Sequence, residues 1–100
     1  LISPFQEELI VQRDENSWLV DGTTPIEDVM QALDIDEFEG WENYETIAGF
    51  IMYMLRRVPK RTDKVEYGDH TFEVVDIDNY RIDQILVTRI DKGNGPSGEN

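Results

Sequence analysis

The sequence contains no cysteine, which excludes disulfides, thiolate metal sites and a cysteine nucleophile. Histidine occurs once, at His70, and without a second histidine or a cysteine it makes no zinc centre. Nothing orders Ser17, Ser97 and His70 as a nucleophile with its base. No apolar run approaches the roughly 20 residues that a membrane span needs, and there is no signal-peptide pattern. Bases are scarce in the first half, where residues 1–45 carry thirteen carboxylates and a single base, Arg13. Residues 46–100 are nearly balanced, with nine acids and eight bases, so most of the net charge of −13 lies in the first 45 positions. That surface repels a phosphate backbone and an anionic membrane, which argues against nucleic-acid binding. A glycine-rich phosphate loop is also missing, since Gly68 and Gly93-Asn94-Gly95 lack the strand–loop–helix setting.

What is present begins with Glu45–Pro59, ETIAGFIMYMLRRVP. Ile47, Phe50, Ile51, Met54, Leu55 and Val58 recur at helical spacing and predict one long helix with a buried face. Ala48, Met52 and Tyr53 make its other side partly apolar, so coverage on more than one side is expected. Gly49, unfavourable inside a helix, implies close approach by another part of the chain. Arg56 and Arg57 suit the helix C-terminus, and Pro59 should end it.

Before this helix, Leu9–Gln12 and Ser17–Asp21 read as a β-hairpin with a four-residue connection, Arg13–Asn16. Asp21-Gly22 is a turn signal. Thr24 as N-cap, Pro25 at the first helical position and Glu27 as the acid of a capping box mark a short helix, Pro25–Leu33. Asp34–Glu45 is an acidic loop with six carboxylates and no base, its interleaved Ile35, Phe38, Trp41 and Tyr44 anchoring it partly to the core. After the basic connector Lys60–Lys64 come three strands, Lys64–Tyr67, His70–Ile77 and Arg81–Ile90. The broken alternation in the last two suggests a two-sided sheet or a β-bulge. The order β-β-α-α-β-β-β argues an α+β fold, one mostly antiparallel sheet with two helices packed on it. One hundred residues suffice for one domain with a small core, expected over 9–90, with 1–8 a linker and 91–100 a disordered tail. The chain starts with Leu1 rather than Met and so reads as an excerpt of a longer protein.

Two clusters are candidate sites. In the acidic loop, Asp34, Asp36, Glu42 and Glu45 fall at positions one, three, nine and twelve of an EF-hand-like count. Phe38 and Glu39 stand where such a loop needs a ligand and a glycine, so it is not an EF-hand; a looser divalent-cation site competes with a solvated acidic surface or partner patch. The basic cluster Arg56, Arg57, Lys60 and Arg61, with Lys64, could hold a cofactor phosphate, or it could cap the helix and aid solubility. His70 reads as an ordinary strand residue, and Trp18 and Trp41 as core or rim aromatics. No pair of acids stands out for acid–base work.

Several stretches together resemble one family. They are Ser17–Gly22 with Pro25-Ile26, Glu45–Ile51, Leu55, Pro59, Phe72–Val74 and Arg81-Ile82 with Ile85 and Val87. The chain is similar, from about Leu9 to Ile90, to the transporter-associated domain at the C-terminus of CorC/HlyC-type proteins. It departs at Arg56 and Thr62, where the family often has glycine. The resemblance implies a non-catalytic regulatory domain of a hemolysin-like or magnesium/cobalt efflux protein, modulating ion transport. It further implies a cytoplasmic position in an inner-membrane protein, with the CBS and membrane domains of the same parent chain as partners. A flavin- or adenine-nucleotide-binding module is the alternative, FAD being implied by a fold similar to part of vanillyl-alcohol-oxidase-type flavoproteins. An enzyme or toxin is a third reading, disfavoured by the absence of a catalytic constellation or membrane-active segment. A homodimer is left open.

Overall fold

The computed structural model describes residues 8–90; the predicted tail, and all of the predicted linker but Glu8, lie outside them. Five strands form one antiparallel sheet in the order β1-β2-β5-β4-β3. They are β1 (Ile10–Asp14), β2 (Ser17–Asp21), β3 (Lys64–Tyr67), β4 (His70–Asp78) and β5 (Arg81–Arg89). Two helices, α1 (Ile26–Leu33) and α2 (Ile47–Leu55), and a single 3-10 turn at Trp41–Asn43 lie between β2 and β3 in sequence. The α+β order is the predicted one.

The core forms where the helices cover one face of the sheet. From the strands come Trp18, Val20, Val65, Phe72, Val74, Ile82, Ile85 and Val87; from the helices Ile26, Val29, Leu33, Ile47, Phe50 and Ile51. Phe38 of the acidic loop is fully buried with them. Its ring meets Phe50 edge-on at 4.6 Å between centroids and stacks on Tyr67 at 5.4 Å. The loop is therefore anchored as expected at Phe38, and partly at Ile35 and Tyr44, but Trp41 stands out into solvent at 54% exposure.

Several local expectations need correction. The first hairpin turns on two residues, Glu15-Asn16, rather than four, because β1 runs on to Asp14. The pairing passes from Gln12↔Trp18 to Asp14↔Ser17, so Arg13 is the extra residue of a bulge that hides the strand's length in its sequence pattern. In α1, Pro25 is itself the N-cap, and no side chain caps the helix. The buried Thr24 hydroxyl instead donates to the Asp21 carbonyl at 2.6 Å, and the Ile26 amide finds the Glu45 carbonyl at 2.9 Å. A tertiary partner has replaced the local capping box.

The second helix is shorter than predicted. Thr46 caps it, accepting from the Gly49 amide at 3.1 Å. It ends at Leu55 because Arg56 turns left-handed (φ 58°) and returns its amide to the Met52 carbonyl. Val58, predicted on the buried face, is consequently 62% exposed, while Pro59 is buried beyond the helix end. Arg56 and Thr62, the two positions where the family often has glycine, both take positive φ, 58° and 75°.

The irregular strands are bulged. Val74 pairs with Ile85, Asp76 with Gln84 and Ile77 with Ile82, so Val75 on β4 and Asp83 on β5 are extra residues that offset one another. That brings Ile82 and Ile85 onto the same buried face despite their odd spacing. The β4–β5 turn is Asn79-Tyr80, both left-handed, one residue later than expected and of the type that matches strand twist.

Gly22 joins the two halves of the fold. Its amide donates to the Asp83 carbonyl at the β5 bulge (2.8 Å), and its carbonyl accepts from Ala48 in the first turn of α2 (3.0 Å). The approach is so close that a Cβ on Gly22 would lie 2.0 Å from the Ile82 carbonyl oxygen. Gly49 likewise makes room, here for Tyr44, whose Cβ would be 2.8 Å from an added Cβ.

Candidate functional site

The basic connector folds around a residue that the sequence reading passed over. Asp63 is 5% exposed. Its carboxylate accepts from the Arg57 guanidinium at 2.9 and 2.7 Å, from the Lys60 amide at 2.8 Å and from Lys60 Nζ at 2.9 Å. The Arg57 hydrogen bonds, then those of Lys60, hold the Asp63 carboxyl well below the usual carboxylate range, and Asp63 in turn raises Arg57. The backbone completes the clamp, with Thr62 donating to the Val74 carbonyl and Val74 to the Asp63 carbonyl. Of the four predicted cofactor contacts, Arg57 and Lys60 are thus engaged with Asp63, Arg56 lies over the Tyr53 ring at 5.0 Å, and Arg61 is exposed. Two of the four thus meet at one carboxylate. An aspartate among charged neighbours carries no sequence signal for this role; only its burial shows it.

The four predicted metal ligands separate into two pairs. Asp34 and Asp36 line a concavity of about 330 Å³ with Glu37, Tyr67, Asp69 and His70. Glu42 and Glu45 line another, of about 440 Å³, with Glu27, Trp41, Tyr44 and the Pro25-Ile26 step. Among the described residues, no three His, Asp or Glu side chains are grouped to hold a metal ion.

His70 is more than an average strand residue. It is 6% exposed, its ring is 5.8 Å from that of Trp18, and its Nε2 is buried without a hydrogen-bond partner. Burial, and then the positive charge of Arg89, lower its pKa, with Asp69 opposing. Packed against the rings of Trp18 and Phe72, this imidazole is a core element.

The larger concavity is a groove between the starts of the two helices. Its walls are tied together by the Ile26–Glu45 bond, by Ile47 donating to the Thr24 carbonyl at 3.0 Å, and by the Pro25–Thr46 bridge. Trp41 is positioned by Gly40, which is left-handed (φ 72°) and lies so near Tyr53 that a Cβ would be 2.4 Å from its ring. The Asn43 amide and side chain both donate to the Gly40 carbonyl, at 2.8 and 3.1 Å. Tyr44 donates its hydroxyl to the Glu39 carbonyl. Burial, with nearby Tyr67, Tyr53 and Glu39, pushes its pKa up to about 12, so it remains a neutral donor. Among the described residues, Glu27, Glu42 and Glu45 have no ion-pair partner. An apolar floor, an exposed indole and three unneutralised carboxylates suit an organic cation.

A model of the family described as transporter associated domain (CorC_HlyC) matches residues 11–91. The chain is 68% identical over 91 residues, 91% of its length, to the polyamine export protein of Escherichia coli K12. It is 66% identical over 98 residues to that of Salmonella typhimurium. It spans only about a fifth of those relatives, 20% and 22% of their lengths. Among solved structures, a CorC_HlyC domain from Haemophilus ducreyi is similar at 55% identity and TM-score 0.71, over 82% of this chain and 98% of that one. The corresponding domain of a Xylella fastidiosa hemolysin, in complex with Mg++ and Mn++, is similar at 33% identity and TM-score 0.74, over 84% of this chain and all of that one (100%). The chain belongs to the transporter-associated CorC_HlyC domain family.

Proposed function

We propose that this member of the transporter-associated domain family is a non-catalytic regulatory module of a membrane polyamine exporter. It works through contacts with the CBS and membrane-spanning domains of its own parent chain, on the cytoplasmic side of the inner membrane. The observation that carries the reading is the 66–68% identity, over nine-tenths of the chain or more, to proteins named for polyamine export. At that identity the cargo is better taken from those relatives than from the magnesium and cobalt efflux that the wider resemblance implies. The excess of acid over base in the first half of the chain agrees with a protein that handles organic cations.

Divalent-cation cargo is the second reading, favoured by the relative solved with Mg++ and Mn++. Against it, the acids Asp34, Asp36, Glu42 and Glu45 are divided between two concavities. A flavin or adenine nucleotide has less support, because two of the four bases that would hold its phosphates are engaged with Asp63.

The test uses the full-length parent in cells stripped of their own polyamine exporters, with and without residues 9–90. Intracellular putrescine is measured after loading, beside cobalt tolerance. The expected result is altered putrescine export on deletion at unchanged membrane abundance, with cobalt tolerance unaffected. Unchanged export, or a change confined to cobalt, would overturn the proposal.

A further inference from the structure

We infer that His70 is a proton-operated latch: on taking up a proton its ring turns out of the aromatic core toward the acidic concavity and draws residues 34–37 onto the β3–β4 turn. The inference owes nothing to the cargo of the relatives. It stands on where this one side chain sits.

His70 opens β4 directly after the Gly68-Asp69 turn, and its backbone is held in the ladder opposite Tyr67 of β3 and Arg89 of β5. Its ring meets those of Trp18 at 5.8 Å and Phe72 at 6.2 Å. The same residue lines the concavity of about 330 Å³ that holds Asp34, Asp36, Glu37 and Asp69. His70 is 6% exposed, and among the described residues its Nε2 is the one buried side-chain polar atom with no hydrogen-bond partner. Buried polar atoms are nearly always paired, so an orphan calls for an explanation. A phenylalanine would fill the space without leaving a polar atom unsatisfied.

The charges around the ring decide where it goes. Uncharged, it packs as a small aromatic. An imidazolium has two N–H donors, and neither Trp18 nor Phe72 supplies an acceptor. The Trp18 face already carries a cation, the Arg89 guanidinium at 5.3 Å. Burial, and then Arg89, accordingly lower the His70 pKa, with Asp69 opposing. Compensation lies outward, in Asp69 next to it on the turn and in the exposed Asp34, Asp36 and Glu37 of the acidic loop. Tyr67, the other titratable group of the concavity, donates its hydroxyl to the Glu37 carbonyl at 3.0 Å.

That bond makes the movement transmissible, because it ties β3 to the acidic loop just before Phe38, which stacks on Tyr67 in the core. The Asp69 carbonyl in turn accepts from the Ile90 amide at 2.7 Å, where β5 has ended. A turned ring therefore engages residues 34–37, 67–70 and 89–90 and leaves the helices and the rest of the sheet as they are. A state that pairs the imidazolium with carboxylates binds the proton more tightly than the packed one, so acid shifts the population toward it.

Nuclear magnetic resonance of the 100-residue chain tests this; a relative's solved chain is matched over 98% of its length, so the domain folds on its own. The His70 ring and the backbone amides are followed from about pH 8 to about pH 5. The expected result is one amide transition confined to residues 34–37, 67–70 and 89–90, sharing the midpoint of the ring's own titration. His70→Phe keeps the packing and should lose the transition, while Asp34→Asn/Asp36→Asn should move its midpoint to lower pH. A ring that titrates while residues 34–37 stay still would overturn the inference. So would a transition that survives in His70→Phe, that is untouched by the paired asparagines, or that spreads over both helices. The coincidence of ring and amide midpoints is read on the unaltered chain, so it decides the matter even where His70→Phe does not fold.

Discussion

Replacing Gly22 with alanine should be the most damaging single-methyl change in the domain. The added Cβ would lie 2.0 Å from the Ile82 carbonyl oxygen and 3.0 Å from its carbon. Neither atom is the end of a flexible side chain. The opposing backbone belongs to β5 at its bulge, and Gly22 is bonded on both sides, to Asp83 and to Ala48. Relief requires β2 and β5 to part, or α2 to lift. Overpacking typically costs about 1–3 kcal/mol, and weakening two backbone hydrogen bonds adds about 0.5–1.5 kcal/mol each. The lower entropy of an unfolded chain with alanine returns about 0.4–1 kcal/mol. The net is roughly 2–5 kcal/mol, or a fall in Tm on the order of 10–30 °C for a domain of this size. Urea unfolding followed by far-ultraviolet circular dichroism would measure it. Gly68→Ala is the comparison: it meets nothing within 4 Å but has φ +60°, so it should cost only the left-handed penalty of about 1–2 kcal/mol. If Gly22→Ala unfolds at the wild-type midpoint, or is no worse than Gly68→Ala, the close contact between Gly22 and β5 is wrong.

Four further outcomes are expected. Thr46→Ala removes the cap of α2 and should lower stability by about 1 kcal/mol in the same urea assay. Thr62→Gly relieves a β-branched residue at φ 75° and should raise stability by up to about 1 kcal/mol, the left-handed strain exceeding the entropy that glycine costs. Asp63 has a lower pKa folded than unfolded, so its contribution is present above about pH 4 and is lost as pH falls through the folded value. Asp63→Asn should therefore be less stable than wild type at pH 7, and the gap should narrow in acid, as read from urea midpoints. His70 is also lowered, and its unfolded form takes up a proton first, near pH 6.5. Stability should then fall as pH drops below that value, and His70→Leu should flatten the slope of urea midpoints between pH 7 and 5.

What could be read in advance followed periodicity. The helical spacing of Ile47, Phe50 and Ile51 located the α2 core, and Lys64–Tyr67 was placed to the residue. The misplaced boundaries all have tertiary or backbone causes. Arg13, Val75 and Asp83 are bulge residues, and a bulge shifts the pattern without marking itself. Val58 continues a helical stripe that the left-handed Arg56 has already ended. Thr24 looks like a cap, but its hydroxyl is claimed by the preceding turn. Gly22 reads as an ordinary turn glycine because the strand it touches is sixty residues away in sequence. The acidic loop was legible as a charged, aromatic stretch. Its division into two concavities was not, since that depends on Phe38 entering the core and turning the chain between them.

The two outer strands bear on how such a module can be joined to anything larger. One border, β1, is broken by the Arg13 bulge and lies largely in water; the other, β3, is four residues long and shows Lys64 and Glu66 to solvent. Neither rim offers a long regular ladder on which a foreign strand could grow. Fibril-like stacking of copies through these rims is thereby discouraged. Among the described residues, loops and flat faces are what remains for contact with another body, and such joints can be loosened and remade without unravelling the sheet.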